Sequence, residues 1–423
     1  TYISYKENSV ILEGTKNGCA HIVILNPGYS ADDYKNNIGG AVLCDRKVEA
    51  PDGEYKTEVS GIDFSKGDYK LCVDGESYTL RKPVDFYVSP AGSNLNDGSI
   101  EKPFLTIAGA RNYLRKNPQN APVNVILSGG EYLVTSVTAF SDADSGTVEF
   151  PVVYKVREGE TAELSGAKKL KADDFAPVTD KDILDRMYPG MEGKVYQLDL
   201  SKYYIQKSLY DFGAAFDDED EAGMEATPLG FYLNGNKQSI ARYPNVGYES
   251  FGDSVVKNGG ERDGNGTKGG GIFKTLCAER WAQADDMFIE GFFRYTWHKE
   301  WAKVGTVDAA DNTLSLKSWT MYGIYPQGRW AAVNLLEEID IPGEWFVDKD
   351  TATLYYYPPH KLTSADDFEL SVLCNDIISI NGASNIRFEG ITLRNNAYLG
   401  EKSKNAKAYY NLNNQSLYAD GIT

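Results

Sequence analysis

The chain has 423 residues, with 61 acidic side chains against 43 basic ones and a net charge of −18 when His is neutral. That length exceeds one ordinary core and predicts two or three domains, while the acidity disfavours nucleic acid, whose phosphates need a basic stripe. No apolar run is long enough to span a bilayer.

The five cysteines (Cys19, Cys44, Cys72, Cys277 and Cys374) show neither metal-ligand spacing nor a disulfide framework. Buried thiols are expected, although Cys44 and Cys72 would meet if their strands were neighbours. Residues 1–84 read as a separate accessory module. Short apolar or alternating runs such as SVILEG, AHIVILNPG and YKTEVSGI lie between Gly, Asn, Asp and Pro turns, the pattern of an antiparallel β-sandwich. KGDYKLCVDGESYTL reads as a hairpin with an Asp-Gly turn.

Residues 85–423 are expected to form one β-helical domain in three parts. In 85–167, the strand formers Phe86, Tyr87 and Val88 run into a Gly-, Asn-, Asp- and Ser-rich turn. Thr106 then caps a predicted helix with Ile107, Ala110, Tyr113 and Leu114 on one face, stopped by Pro118. One such helix ahead of many strands predicts a plug over the end of a β structure. Residues 168–370 have irregular spacing, aromatic strands (GFYLNG, FIEGFFRYTW, TLYYYPP) and the loop KNGGERDGNGTKGGGIF, which predict an inserted β-rich region. In 371–423 the coil rhythm returns, with Ile378, Ile380, Ile386, Phe388, Ile391 and Leu393 pointing inward from three short strands. YADGIT at the end reads as the start of a further strand, so more coils are expected after this piece.

The segments FYVSPAGSNLNDGSIEKPFLTIAGARNYLR, ILSGGEYLV, SDADSG, VVYKVREGETAELSGAKKL, FYLNGNKQSIARYPN and LLEEIDIPGEWFVDKDTATLYYYPP occur in this order. Together they resemble the right-handed parallel β-helix proteins of the pectin-lyase-like superfamily, in particular the bacterial carbohydrate-active branch that includes glycoside hydrolase family 141. The resemblance runs from about Asp85 to Asn396. It implies an all-β chain with three short sheets per coil, a capping helix, a secreted or cell-surface location, and an oligo- or polysaccharide partner bound in a groove. Such a fold hosts hydrolases, lyases and binding proteins alike.

Glycoside hydrolysis generally needs two carboxyls across the scissile bond. RYTWHKEW offers His298 and Glu300; read as a strand, it places them on one face and Trp297 and Trp301 on the other. An ordinary surface ion pair is the competing reading. Asp420, in YADGIT, is the preferred catalytic carboxyl because the resemblance places chemistry on the central coils; an Asp-Gly turn residue is its bland counterpart. EEIDIPGEW gathers Glu337, Glu338, Asp340 and Glu344, where like charges would raise one pKa, yet its context reads as architectural. Trp297, Trp301, Trp319, Trp330 and Tyr243 are candidates for stacking on a sugar. The three His (His21, His298 and His360) are isolated, so no metal centre is expected, and no cofactor is implied. The acidic run Asp217 to Glu221 is a possible calcium loop but reads better as solvated. Carbohydrate-active hydrolysis is the leading expectation. A polysaccharide lyase is lowered because no Lys/Arg cluster is evident, and a noncatalytic glycan-binding or adhesion protein is the remaining alternative.

Overall fold

In the computed structural model, which describes residues 1–205, 207, 229–259, 270–317, 319–373 and 376–396, strands dominate the regular structure. Between Tyr2 and Leu80 two sheets form, each wholly antiparallel. One orders Tyr2–Tyr5, Ser9–Thr15 and Glu54–Ser60; the other orders Val42–Ala50, Gly18–Leu25, Tyr69–Val73 and Glu76–Leu80. Ile3, Val10, Leu12, Ile22, Ile24, Tyr69 and Leu71 share one core. The Asp-Gly hairpin forms as expected: Asp74 and Gly75 both take positive φ (51° and 96°), the conformation of a two-residue turn between twisted strands.

The thiols correct the expectation in part. Cys44 and Cys72 lie on opposite sides of the strand Gly18–Leu25, opposite Ile24 and Val23, so their strands are not neighbours. Both are half-buried, Cys19 is exposed, and Cys277 is buried.

From Val84 the pairing changes sense. Val84–Val88, Val123–Leu127, Val152–Val156 and Ile386–Glu389 stack in parallel, as do Gly130–Leu133, Ala162–Ser165 and Ile391–Arg394, and also Thr138–Phe140 with Ile378–Ile380. Equivalent residues line up across the parallel strands: Phe86, Val125, Tyr154 and Phe388 form one ladder, and Tyr132, Leu164 and Leu393 another. Tyr154 and Phe388 stack at 5.2 Å. All six inward residues expected between Ile378 and Leu393 join this core.

The helix Ile107–Lys116 starts at Thr106, whose hydroxyl accepts the Gly109 N–H at 3.0 Å. Asn94 fastens the cap by accepting the backbone N–H groups of Leu105 (3.1 Å) and Thr106 (3.0 Å). Gly109 is required here, because a Cβ would lie 2.1 Å from the Asn94 side-chain oxygen. Ile107 and Ala110 are buried against the parallel core, with Tyr113 and Leu114 packed beside them. From the other face Arg115 reaches the buried Asp144 at 2.6 Å, tying the helix to the SDADSG turn.

Parallel strands therefore lie on both sides, in sequence, of the region that intervenes. The chain leaves the parallel sheets after Ser165 and rejoins them when Val372 and Leu373 both donate to the Gly166 carbonyl (2.8 and 2.9 Å). Among the described residues, what lies between is antiparallel except for the short pair Ser239–Ile240 with Glu344–Asp348. Its root is held by an ion network. Lys169 contacts Glu131 (3.1 Å), Asp367 (2.6 Å) and Glu369 (3.2 Å), while Arg394 contacts Glu163 (2.7 Å) and Glu369 (2.6 Å). Burial opposes the charge on Glu369, yet Arg394 and Lys169 outweigh it and hold the carboxyl below its ordinary range.

The largest sheet of this region orders Arg242–Tyr243, Arg329–Val333, Phe288–Phe292, Glu300–Asp308, Thr313–Leu316, Ile272–Lys274 and Val255–Lys257, with Glu249–Ser250 also on Arg329–Val333. It carries the candidate site. No helix among the described residues is long and apolar enough to cross a membrane.

Candidate functional site

RYTWHKEW is not one strand. The strand starts at Glu300, and Trp297 and His298 sit in the turn ahead of it. This break decides where each side chain goes. Glu300 is registered with Gly291, which is registered with Trp330, and Tyr243 with Ala332; partners across a sheet share a face, so Glu300, Trp330 and Tyr243 lie on one side. Trp301 pairs with Glu290 and faces the other.

His298 and Glu300 do meet. The Nε2 atom of His298 lies 2.9 Å from Glu300 Oε1, with the side chains 4% and 1% exposed, so the pair is buried rather than at the surface. The second oxygen of Glu300 accepts the Met321 N–H at 2.9 Å, which fixes the carboxylate and through it the imidazole.

Trp297 is 48% exposed. Its indole stacks on Tyr295 at 5.2 Å and 13°, and meets Tyr322 edge-on at 5.5 Å and 74°. Tyr322 also stands edge-on to the His298 ring at 5.0 Å. Arg294 lies 4.9 Å from the Tyr295 ring and 3.9 Å from the Tyr325 ring, and donates to the Tyr325 hydroxyl at 2.6 Å. The result is an aromatic cluster with a half-exposed indole, beside a buried His–Glu pair. An exposed indole backed by a stacked ring suits the C–H face of a sugar, because its orientation is set before any ligand arrives.

The other aromatic candidates stand elsewhere. Trp301 (5% exposed) packs into the core with Phe288, and Trp330 (3%) packs among Phe251, Phe273 and Trp281, so neither offers a face to a ligand. Trp319 is buried as well. Tyr243 is half-buried, edge-on to Trp281 at 5.6 Å, with the Arg280 guanidinium 5.4 Å from its ring; burial pushes its hydroxyl up to about 12. Asp420 and the run Asp217 to Glu221 lie outside the described residues. Tyr295, Tyr322 and Tyr325 were not singled out by sequence, although the aromatic-rich turns RYTW and MYGIYP carry them.

The EEIDIPGEW carboxyls are internal. Glu337 and Glu338 are buried and held by separate arginines, Arg186 at 2.9 Å and Arg280 at 2.5 Å. Glu344 accepts the N–H groups of Asp340 and Ile341 (2.9 and 3.1 Å). Both Glu338 and Glu344 are pushed up to about 7, chiefly by burial, with Asp340 adding a smaller repulsion. The raised pKa expected from like charges is present, but desolvation is its main cause.

No known family model matches the chain. A Bacillus subtilis (strain 168) protein, "Uncharacterized protein YwoF", is 26% identical over 155 residues, which cover 37% of this chain and 26% of that protein. The chain thus spans about a quarter of this relative's length. Among solved structures, one titled "Glycoside hydrolase" superposes with a TM-score of 0.52 at 19% identity, over 74% of this chain and 51% of the other. A complex of XylC with xylose gives a TM-score of 0.33 at 16% identity, over 74% of this chain and 36% of that one. The first of these is a likeness of fold, between a mostly β chain and about half of a longer protein.

Proposed function

We propose that this chain is a carbohydrate-active protein and part of a glycoside hydrolase that cleaves a plant or host glycan, with its parallel strands forming a right-handed β-helix of the pectin-lyase-like kind. The observation that carries the reading is the Trp297 platform, a half-exposed indole fixed between Tyr295 and Tyr322 next to the His298–Glu300 pair. The fold likeness to a structure titled "Glycoside hydrolase" supports it. In this reading Trp297 stacks on a sugar ring, and the His298–Glu300 pair holds the platform's rim and is a candidate proton carrier. Asp420 is the proposed catalytic carboxyl, working with a second one across the bond. A secreted or cell-surface setting belongs to the same proposal.

The burial of His298 and Glu300 favours one alternative, a noncatalytic glycan-binding role, since neither group meets solvent directly. Affinity electrophoresis of the chain in gels containing xylan or other plant glycans, alongside a reducing-end assay, separates the two. Retardation with release of reducing ends supports the hydrolase. Retardation without release leaves glycan binding alone, and the absence of both removes the carbohydrate reading.

A further inference from the structure

We infer that the joint between the parallel strands and the antiparallel region is a proton-operated latch: Glu131 and Glu369 hold one proton between them, and its departure frees the antiparallel region to turn about Gly166. This device is independent of the saccharide reading. The chain crosses the joint twice, outward through 165–167 and back through 371–373, and Gly166 stands between the crossings, accepting the N–H groups of Val372 and Leu373 and donating to the Arg394 carbonyl at 3.0 Å. A side chain there would put its Cβ 2.8 Å from the Asn396 Cα and 3.0 Å from the Leu373 Cβ, so only glycine lets the two segments come this close. Apolar side chains on the two sides pack apart: Leu164 and Leu373 belong to the core of the parallel strands, and Leu170, Phe368 and Leu370 to that of the antiparallel region. A joint between separate cores is one that can move.

What meets across the joint is polar. On the antiparallel side, Lys169, Glu369, Tyr232 and Lys237 are registered in one row and share a face. Glu131, Glu163 and Arg394 meet this row from the parallel strands Gly130–Leu133, Ala162–Ser165 and Ile391–Arg394. Lys169 bridges Glu131 and Glu369 and also holds Asp367. Arg394 contacts Glu131 (3.5 Å), Glu163 and Glu369, and Asn395 donates to Glu369 at 3.0 Å. Tyr232 is engaged by Ser371, and Lys237, at the end of the row, is exposed.

The carboxyls of Glu131 and Glu369, one from each side, lie within hydrogen-bond reach of each other. Two ionised carboxylates at that separation repel, whereas a single proton turns the same contact into a charge-assisted O–H···O⁻ bond. Their surroundings decide which of them carries it. Glu369, 1% exposed, is kept ionised by Arg394 and Lys169 against the cost of burial, while burial first and Glu369 second push Glu131 above its ordinary range. Glu131 is 27% exposed, so its proton exchanges with solvent. Its contribution is complete below the ordinary 4.5 and is lost as pH rises through the raised value. The proton then passes to water, both carboxyls are charged, and their repulsion acts across the joint.

The test is backbone hydrogen exchange of the full chain between about pH 4 and 8, with the intrinsic pH dependence of exchange removed. The amides of Gly166, Val372 and Leu373, which bond at the joint, should lose about tenfold in protection over this range relative to those of Val123–Leu127 and Phe288–Phe292. Glu131→Gln keeps a donor toward Glu369 without a titrating proton, so protection at its joint should stay level. Glu163→Gln, at the neighbouring carboxyl paired with Arg394, should keep the parent's pH dependence. Level protection in the parent, the parent's dependence in Glu131→Gln, or loss of the dependence in both variants overturns the inference. Protection that falls in step at the joint and in the two reference strands is global unfolding and overturns it as well.

Discussion

At the scale of single residues, exposure separates the ring that can bind from the rings that hold the fold. Trp297→Ala removes an indole that is half in solvent, so we expect glycan retardation to fall at least tenfold while the thermal midpoint stays within about 2 °C. Trp330→Ala empties a site among Phe251, Phe273 and Trp281, and should cost about 3–5 kcal/mol of stability in denaturant unfolding. The reverse ranking would show that Trp297 is structural. The pair His298 and Glu300 obeys a third rule: with both side chains buried, Glu300→Ala strands the imidazole and the Met321 N–H, a loss of roughly 3–5 kcal/mol. His298 and Glu300 meet, although His298 precedes the strand and the alternation that would have set them on one face is not what joins them. Sequence set Trp301 on the face opposite Glu300, as the register has it, but the strand begins only at Glu300, so the face it was to share with Trp297 does not exist there.

At the scale of elements, what could be read from the chain was what depends on neighbours in sequence. Thr106 is a cap because it precedes an apolar stripe by one residue, and Ile378 to Leu393 point inward because alternation within a short strand fixes the face. The short strands of these sheets were foreseeable for the same reason. The pairing inside the region 168–370 was not, since its registers join strands as distant as Arg242–Tyr243 and Arg329–Val333, and nothing local specifies such pairing. Its anchorage is equally non-local: Glu369 is met by Arg394 from the parallel stack and by Lys169 from the departing strand. Glu369→Ala leaves two cations without their shared buried partner, and we expect a loss of roughly 3–5 kcal/mol. Limited proteolysis should then cut first near 166–172, where the insertion departs. Intact resistance there would mean that the Gly166 backbone bonds suffice without the ions.

At the scale of the whole molecule, one cation ties the N-terminal sheets to the parallel strands. Arg387, on the parallel stack, lies 3.3 Å from the centre of the Tyr2 ring and donates to the Ser4 hydroxyl at 2.6 Å, so one side chain links residues 383 positions apart. Stability against pH follows from two opposed groups of carboxyls. Glu338 and Glu344 sit at about 7, above their ordinary value of 4.5, so the fold prefers them protonated; their contribution is complete below about pH 4.5 and is lost as pH rises through 7. Each is worth on the order of 3 kcal/mol across that range. Asp366 lies at about 2: burial works against its charge, but His360, Thr363 and Asn234 more than offset it. Its contribution is present above its ordinary 3.8 and is lost as pH falls toward 2. Together with Glu369 it erodes the acid side. The thermal midpoint should therefore peak between about pH 4 and 5.5 and decline toward pH 8, an unusually acidic optimum for a chain whose net charge already grows more negative over that interval. Glu344→Gln removes one of the two groups responsible for the decline, so its midpoint should fall less steeply between pH 5 and 8 than that of the parent chain. An unchanged slope would place the loss in general charge repulsion, which added salt would then relieve.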